Sequence, residues 1–322
     1  MNQFGKNFRL SIFGESHGNG VGVIVDGCPS GTPLVVDDFE SDLLRRKSGA
    51  KGTTPRIEAD KPKLMSGVFN DFTTGAPITI FFENTNTKSG DYEFLKHTPR
   101  PGHADFVASK KFGGFSDYRG GGHFSGRITL GLVSAGVIAK KIIGQIKIEA
   151  KLIEVGGSKN IEAMVEKAIT EGDSVGGLVE CRISNLPIGL GEPFFDSVES
   201  VISHMVFSIP SIKGVEFGSG FSSTKMFGSE HNDLFVDDNG KTKTNFAGGI
   251  NGGITNGNDV IFRVAVKPTS SISKTQKTFN METKKIEELN ILGRHDACIA
   301  LRVPVVLENA VACAVADLML SL

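Results

Sequence analysis

Apolar positions alternate or run together in short stretches before they adopt helical spacing, which predicts strands interleaved with helices. Residues 8–13 and 21–25 read as consecutive strands, 77–83 as a third, and 259–267 alternates with the strand period, while 177–184 is more weakly patterned. Helical spacing marks 38–46, 104–112 and 125–141, the last with Ser125 as candidate N-cap, and then 160–171, 196–207 and 308–320. The pattern is α/β or α+β with a mixed sheet. Nothing of low complexity separates the halves, so the reading is a single domain over 1–322.

Composition narrows the class. In 322 residues, 39% are hydrophobic and 22% charged, enough for a substantial core. The 35 basic and 36 acidic residues leave a net charge of −1, so no global field favours nucleic acid or an anionic membrane, and an anionic ligand must be held by a local cluster. Cys28, Cys181, Cys298 and Cys313 lack paired spacing, which argues against a metal site or a disulfide framework and fits a reducing cytoplasm. No apolar stretch is expected to reach the roughly 18 residues of a membrane span. The phenylalanines beside glycine-rich loops, Phe112, Phe115, Phe124, Phe217, Phe221 and Phe246, are expected mostly in the core, with a few free to form a flat apolar wall.

Candidate chemistry sits on glycine-flanked turns. Gly14-Glu15-Ser16-His17-Gly18 follows a strand, Arg100-Pro101-Gly102-His103-Ala104-Asp105 enters a helix, and Gly293-Arg294-His295-Asp296 lies near the C-terminal helix. Glycine lets a ligand approach the main chain, and histidine titrates near neutrality, so this pattern points to proton transfer. Taken singly, His17 and His103 read equally well as structural histidines, and Asp296 as a cap. The segment 117–127, with Gly120-Gly121-Gly122 between Arg119 and Arg127, reads either as a turn needing glycine geometry or as an anion site at a helix start. Lys267-Pro268-Thr269-Ser270-Ser271 is a strand end that offers an ammonium and three hydroxyls, or only a polar turn. Arg45-Arg46-Lys47 with Lys51 is a solvated helix end or part of a grip on a polyanion, shared with Arg100, Arg119, Arg127 and Arg294.

Taken together and in order, residues 14–18, 100–105, 117–127, 267–272 and 293–296 resemble the motif set of chorismate synthases. The resemblance implies a layered fold in which helices lie between β-sheets. It also implies a carbon–oxygen lyase making chorismate from 5-enolpyruvylshikimate 3-phosphate by 1,4-elimination of phosphate, the last step toward the aromatic amino acids. Reduced FMN is required although nothing is oxidised overall; whether NADPH serves as reductant stays open, and a homotetramer is usual.

Carried over by motif, His17 donates toward reduced flavin, His103 protonates the departing phosphate, and Asp296 takes a proton from flavin N5. FMN contacts fall on His123, Phe124, Ser125, Ser211, Gly252, Lys267, Pro268, Thr269, Ser270, Ser271 and Arg294. Substrate contacts fall on Arg46, Arg100 and Arg127, with Lys51 as a misaligned partner. Departures are His123-Phe124 where Arg-Ser is common, Ile128 where glutamate is usual, Lys47-Ser48 in place of Arg-Pro, and Ala297 for proline. A different flavin-dependent oxidoreductase and a non-catalytic FMN-binding protein remain open as other readings.

Overall fold

The computed structural model describes residues 2–54, 58–87, 89–291 and 295–322. Its N-terminal sheet has five antiparallel strands in the order Gln3–Phe4, Arg9–Gly14, Gly20–Asp26, Ile78–Glu83, Lys63–Leu64. A second antiparallel sheet runs Ile212–Phe217, Val260–Val266, Gly177–Ser184, Lys147–Val155. Strands and helices are interleaved along the chain in an α/β arrangement, as expected from the sequence, but every pairing between the strands of the two sheets is antiparallel, which corrects the expected mixed sheet.

Two helices lie between the sheets. Thr129–Ile143 packs on the N-terminal sheet, Val303–Met319 packs on the second, and the two pack on each other. Both are apolar almost all round, the signature of a helix enclosed on every side. Their backbones meet closely at Gly136, where a side chain would overlap Asn309. The buried side chains form one continuous core through both sheets and both helices.

The segment Ile299–Met319 corrects the sequence expectation that no stretch is apolar enough for a membrane span. Within its 21 residues an 18-residue window has a mean hydropathy of 1.8, but 78% of that window is buried inside the protein. The helix proper starts at Val303, ahead of the expected 308, with Pro304 in its first turn, where no amide hydrogen is needed. Near its end, Asp317 Oδ1 accepts hydrogen bonds from the amides of Lys6, Asn7 and Phe8 at 2.8, 2.6 and 2.9 Å. The last helix thereby holds the start of the first sheet. Ser125 caps a short 3₁₀ turn, Gly126–Ile128, rather than the long helix itself, which begins at Thr129.

The phenylalanine expectation also needs correction. Phe112, Phe115, Phe124 and Phe221 are exposed, whereas the large buried rings are Phe8, Phe39, Phe82 and Phe262.

Candidate active site

A cavity of about 820 Å³ opens where the ends of both sheets meet the starts of the two core helices. Its wall takes side chains from Asn2 to Arg302, and its two limbs differ in chemistry.

The polar limb is built on three buried arginines. Arg46 ends the helix Glu40–Arg46 and turns inward, donating from Nε to Thr129 Oγ1 at 2.9 Å and from Nη2 to the Gly126 carbonyl at 3.0 Å. Arg127 donates from Nη1 to Asp60 Oδ1 at 2.8 Å, from Nη2 to the Glu83 carbonyl at 3.1 Å, and from Nε to Asn84 Oδ1. Asp60 also faces Arg46, with Oδ2 3.5 Å from Nη1. Burial, followed by repulsion from Arg302 and then Arg127, outweighs Asp60 and pulls the Arg46 guanidinium down to about 9. It remains a cation at neutral pH, with its charge only partly balanced.

Arg100, the third, donates from Nε to Asp105 Oδ2 at 2.8 Å and from Nη1 to Ser271 Oγ at 2.9 Å. His103 lies beside it, with Nδ1 2.6 Å from Asp105 Oδ1. Lys267 ties this loop to the 267–271 segment, donating to the Gly102 carbonyl at 3.1 Å and Ser270 Oγ at 2.8 Å. Burial, then the charge of Lys213, lowers the Lys267 ammonium from its ordinary range.

Asp296 faces the cavity with Oδ1 accepting from the Thr54 amide at 3.0 Å and from Arg302 Nη1 at 3.5 Å. Arg302 Nε donates in turn to the Arg46 carbonyl at 3.0 Å, so one guanidinium links the acid to the arginine segment.

His17 stands just behind the wall. Its buried ring meets Tyr92 edge-on at 5.1 Å, and Tyr92 and Gly120 line the cavity in front of it. Gly120 has φ +57°, and any side chain there would overlap the His17 ring. The triple glycine is therefore a cover laid over a histidine, with the Ser16 amide bonded to the Gly122 carbonyl at 3.0 Å.

The second limb is apolar: Phe4, Leu10, Ile12, Phe124, Met205 and Ile209 line it. His123 donates from Nδ1 to the Gly14 carbonyl at 2.8 Å, which fastens the glycine loop to the first sheet, and Phe124 presents a ring 40% exposed.

The cavity brings together Arg46, Arg100, His103, His123, Phe124, Ser125, Arg127, Ser211, Lys267, Thr269, Ser270, Ser271 and Asp296. It does not bring in Gly252, on the hairpin made by Ile250–Asn251 and Ile254–Thr255, nor Pro268. Lys51 is outside as well and pairs with Glu166 at the surface, while Arg119 pairs with Asp117 at 2.8 Å. Arg294 lies outside the described residues. Sequence reasoning missed Asp60, Tyr92, His204 and Arg302, and gave His295 no role.

The model for the family described as chorismate synthase matches residues 8–320. A chorismate synthase of Chitinophaga pinensis is 64% identical over 321 residues, covering 99% of this chain and 97% of that protein. One from Dehalococcoides mccartyi is 46% identical over 351 residues, covering 99% and 96%. A crystal structure of chorismate synthase superimposes with a TM-score of 0.76 at 24% identity, covering 99% of this chain and 93% of that one, a likeness of fold.

Proposed function

Because this chain belongs to the chorismate synthase family, and so to the lyases, we propose that its cavity eliminates phosphate from 5-enolpyruvylshikimate 3-phosphate to give chorismate, with reduced FMN bound beside the substrate. The observation that carries this reading is the meeting of three buried arginines, His103 and Asp296 with an apolar limb in one cavity.

The donor set suits a phosphorylated planar cofactor. Lys267, Ser270 and Ser271 present an ammonium and hydroxyls, Thr269 Oγ1 is buried with no hydrogen-bond partner among the described residues, and Phe124 offers a ring face. His123, Phe124, Ser125, Ser211 and the 267–271 segment would hold FMN. Reduced FMN, when bound, supplies electron density that can be lent and recovered, so that two non-adjacent bonds break without net redox change.

The protein does the rest. Arg46, Arg100 and Arg127 grip the phosphate and carboxylates, where guanidinium forks match planar oxyanions better than ammonium groups. His103 delivers a proton from Nε2 to the departing phosphate. His17, behind Gly120, donates toward the cofactor. Asp296 accepts a proton at Oδ2, with Oδ1 held by the Thr54 amide. Assembly into a homotetramer is part of the same reading, with the neighbouring exposed rings of Phe194 and Phe195, 6.4 Å apart, available to a contact between copies.

The test is anaerobic incubation with dithionite-reduced FMN and 5-enolpyruvylshikimate 3-phosphate, following chorismate and phosphate together. Equal yields that depend on reduced flavin support the reading, and replacing His17 or His103 by alanine is expected to slow turnover by about 10²–10⁴. Binding without product would move the non-catalytic reading ahead.

A further inference from the structure

Asp105 opens the helix Asp105–Lys111 two residues after His103, and its carboxylate is engaged on every side. The side chain is 5% exposed. Oδ2 accepts from the Arg100 amide at 3.1 Å and from Arg100 Nε at 2.8 Å. Oδ1 accepts from Arg100 Nη2 at 2.8 Å and lies 2.6 Å from His103 Nδ1.

That last distance fixes a proton. Two atoms offering only lone pairs do not approach so closely, so His103 Nδ1 carries hydrogen and donates to Oδ1. Arg100 Nη2 is 3.0 Å from the same nitrogen, but an Nδ1–H has no lone pair to give it, and the Nη2 hydrogen goes to Oδ1 instead. Nε2 is left as the nitrogen that gains and loses a proton. It lies on the Gly121 side, where even a Cβ would come within 3.4 Å of it.

The same carboxylate sets Arg100. With Nε and Nη2 committed to Asp105, Nη1 is turned toward Ser271 at the cavity wall. Burial works to neutralise Asp105, but the hydrogen bonds from Arg100 and His103 outweigh it and hold the carboxyl well below the ordinary carboxylate range.

We propose that Asp105 is a positioning residue that couples an anion-binding arginine to a proton donor, holding His103 as the Nδ1–H tautomer with Nε2 as its working atom and holding Arg100 by its Nε–Nη2 edge. The proposal rests on the reading of His103 as the acid that protonates phosphate. Asp105 itself exchanges no proton: the proton leaves Nε2, and the carboxylate compensates the imidazolium before that transfer. Asparagine cannot substitute. Its amide must turn NH₂ either toward the two Arg100 donors at Oδ2 or toward His103, where it would favour the opposite tautomer.

The experiment is nitrogen NMR of the full chain labelled at histidine, with the His103 signals assigned by their loss in His103→Asn, beside steady-state kinetics of Asp105→Asn and Asp105→Glu. Wild type is expected to show protonated Nδ1 and bare Nε2 for neutral His103. Asp105→Asn is expected to lose that preference and to drop kcat by about 10²-fold, with reduced-FMN affinity changed less than threefold, while Asp105→Glu recovers part of both losses. An Nε2–H tautomer in wild type overturns the proposal, even if the asparagine variant fails to fold. So does an asparagine variant with wild-type tautomer and kcat. Full activity in His103→Ala, with the Nδ1–H tautomer intact in wild type, instead removes the general-acid reading and leaves the hold of Asp105 on His103 standing.

Discussion

Arg127 and Asp60 meet in a 2.8 Å ion pair with side chains only 7% and 5% exposed, and Asp60 adopts a left-handed backbone, φ +50°, to make it. Arg46 faces the other carboxylate oxygen at 3.5 Å, so two buried guanidinium groups share one carboxylate. Asparagine tolerates the same backbone, so Asp60→Asn tests the charge and not the turn. Breaking a buried pair strands its partner, and the variant is expected to lose about 3 kcal/mol, read from the urea midpoint. An unchanged midpoint would show that the pair contributes nothing to stability.

Gly136 reverses the usual helix rule. Alanine in place of a helical glycine stabilises by about 1 kcal/mol when the site is open, but here the new methyl would overlap Asn309 on the other core helix. Gly136→Ala is expected to be destabilised by about 2 kcal/mol through overpacking. A raised melting temperature would mean that the helices can move apart at no cost.

His295 gives acid stability a definite window. Burial, followed by the positive charge of Arg100, pulls its imidazolium down to about 4 from an ordinary 6.5. Between those values the unfolded chain binds the proton and the folded chain does not, so this group's contribution is full above 6.5 and is lost as pH falls toward 4. In urea titrations from pH 4 to 7.5, His295→Gln should flatten the acid limb relative to wild type. Parallel curves for the two proteins contradict the assignment.

Phe124 lines the cavity, with the Phe112 ring 6.4 Å away. If it forms one wall for a planar ring, Phe124→Ser gives up an aromatic contact of about 1 kcal/mol. Reduced FMN should then bind about fivefold more weakly in anaerobic fluorescence titration. Equal affinities would place the ring system elsewhere in the cavity.

The inner strands were legible because burial imposes a strict pattern: Gly20–Asp26, Ile78–Glu83 and Val260–Val266 show it in their residue order. Lys147–Val155 and Ile212–Phe217 were missed, and both are edge strands of the second sheet. Edges carry fewer apolar residues, and irregular pairing at Leu152/Glu154 and Ile212/Gly214 breaks the alternation further. Among site residues, those on glycine-flanked turns announced themselves. Asp60 and Arg302 did not, because their roles depend on Arg127 and Arg46, 67 and 256 positions away, and no local spacing records such a meeting.

The three hydrogen bonds that Asp317 accepts from the amides of Lys6, Asn7 and Phe8 also make the cavity depend on the far end of the last helix. Without the helix Val303–Met319 the first sheet loses that anchor and the second loses the helix packed on it. The cavity therefore leans on a residue, Asp317, that lies outside its own lining. A ligand that binds there would thus be sensitive to the anchoring of the last helix as well as to the residues it touches.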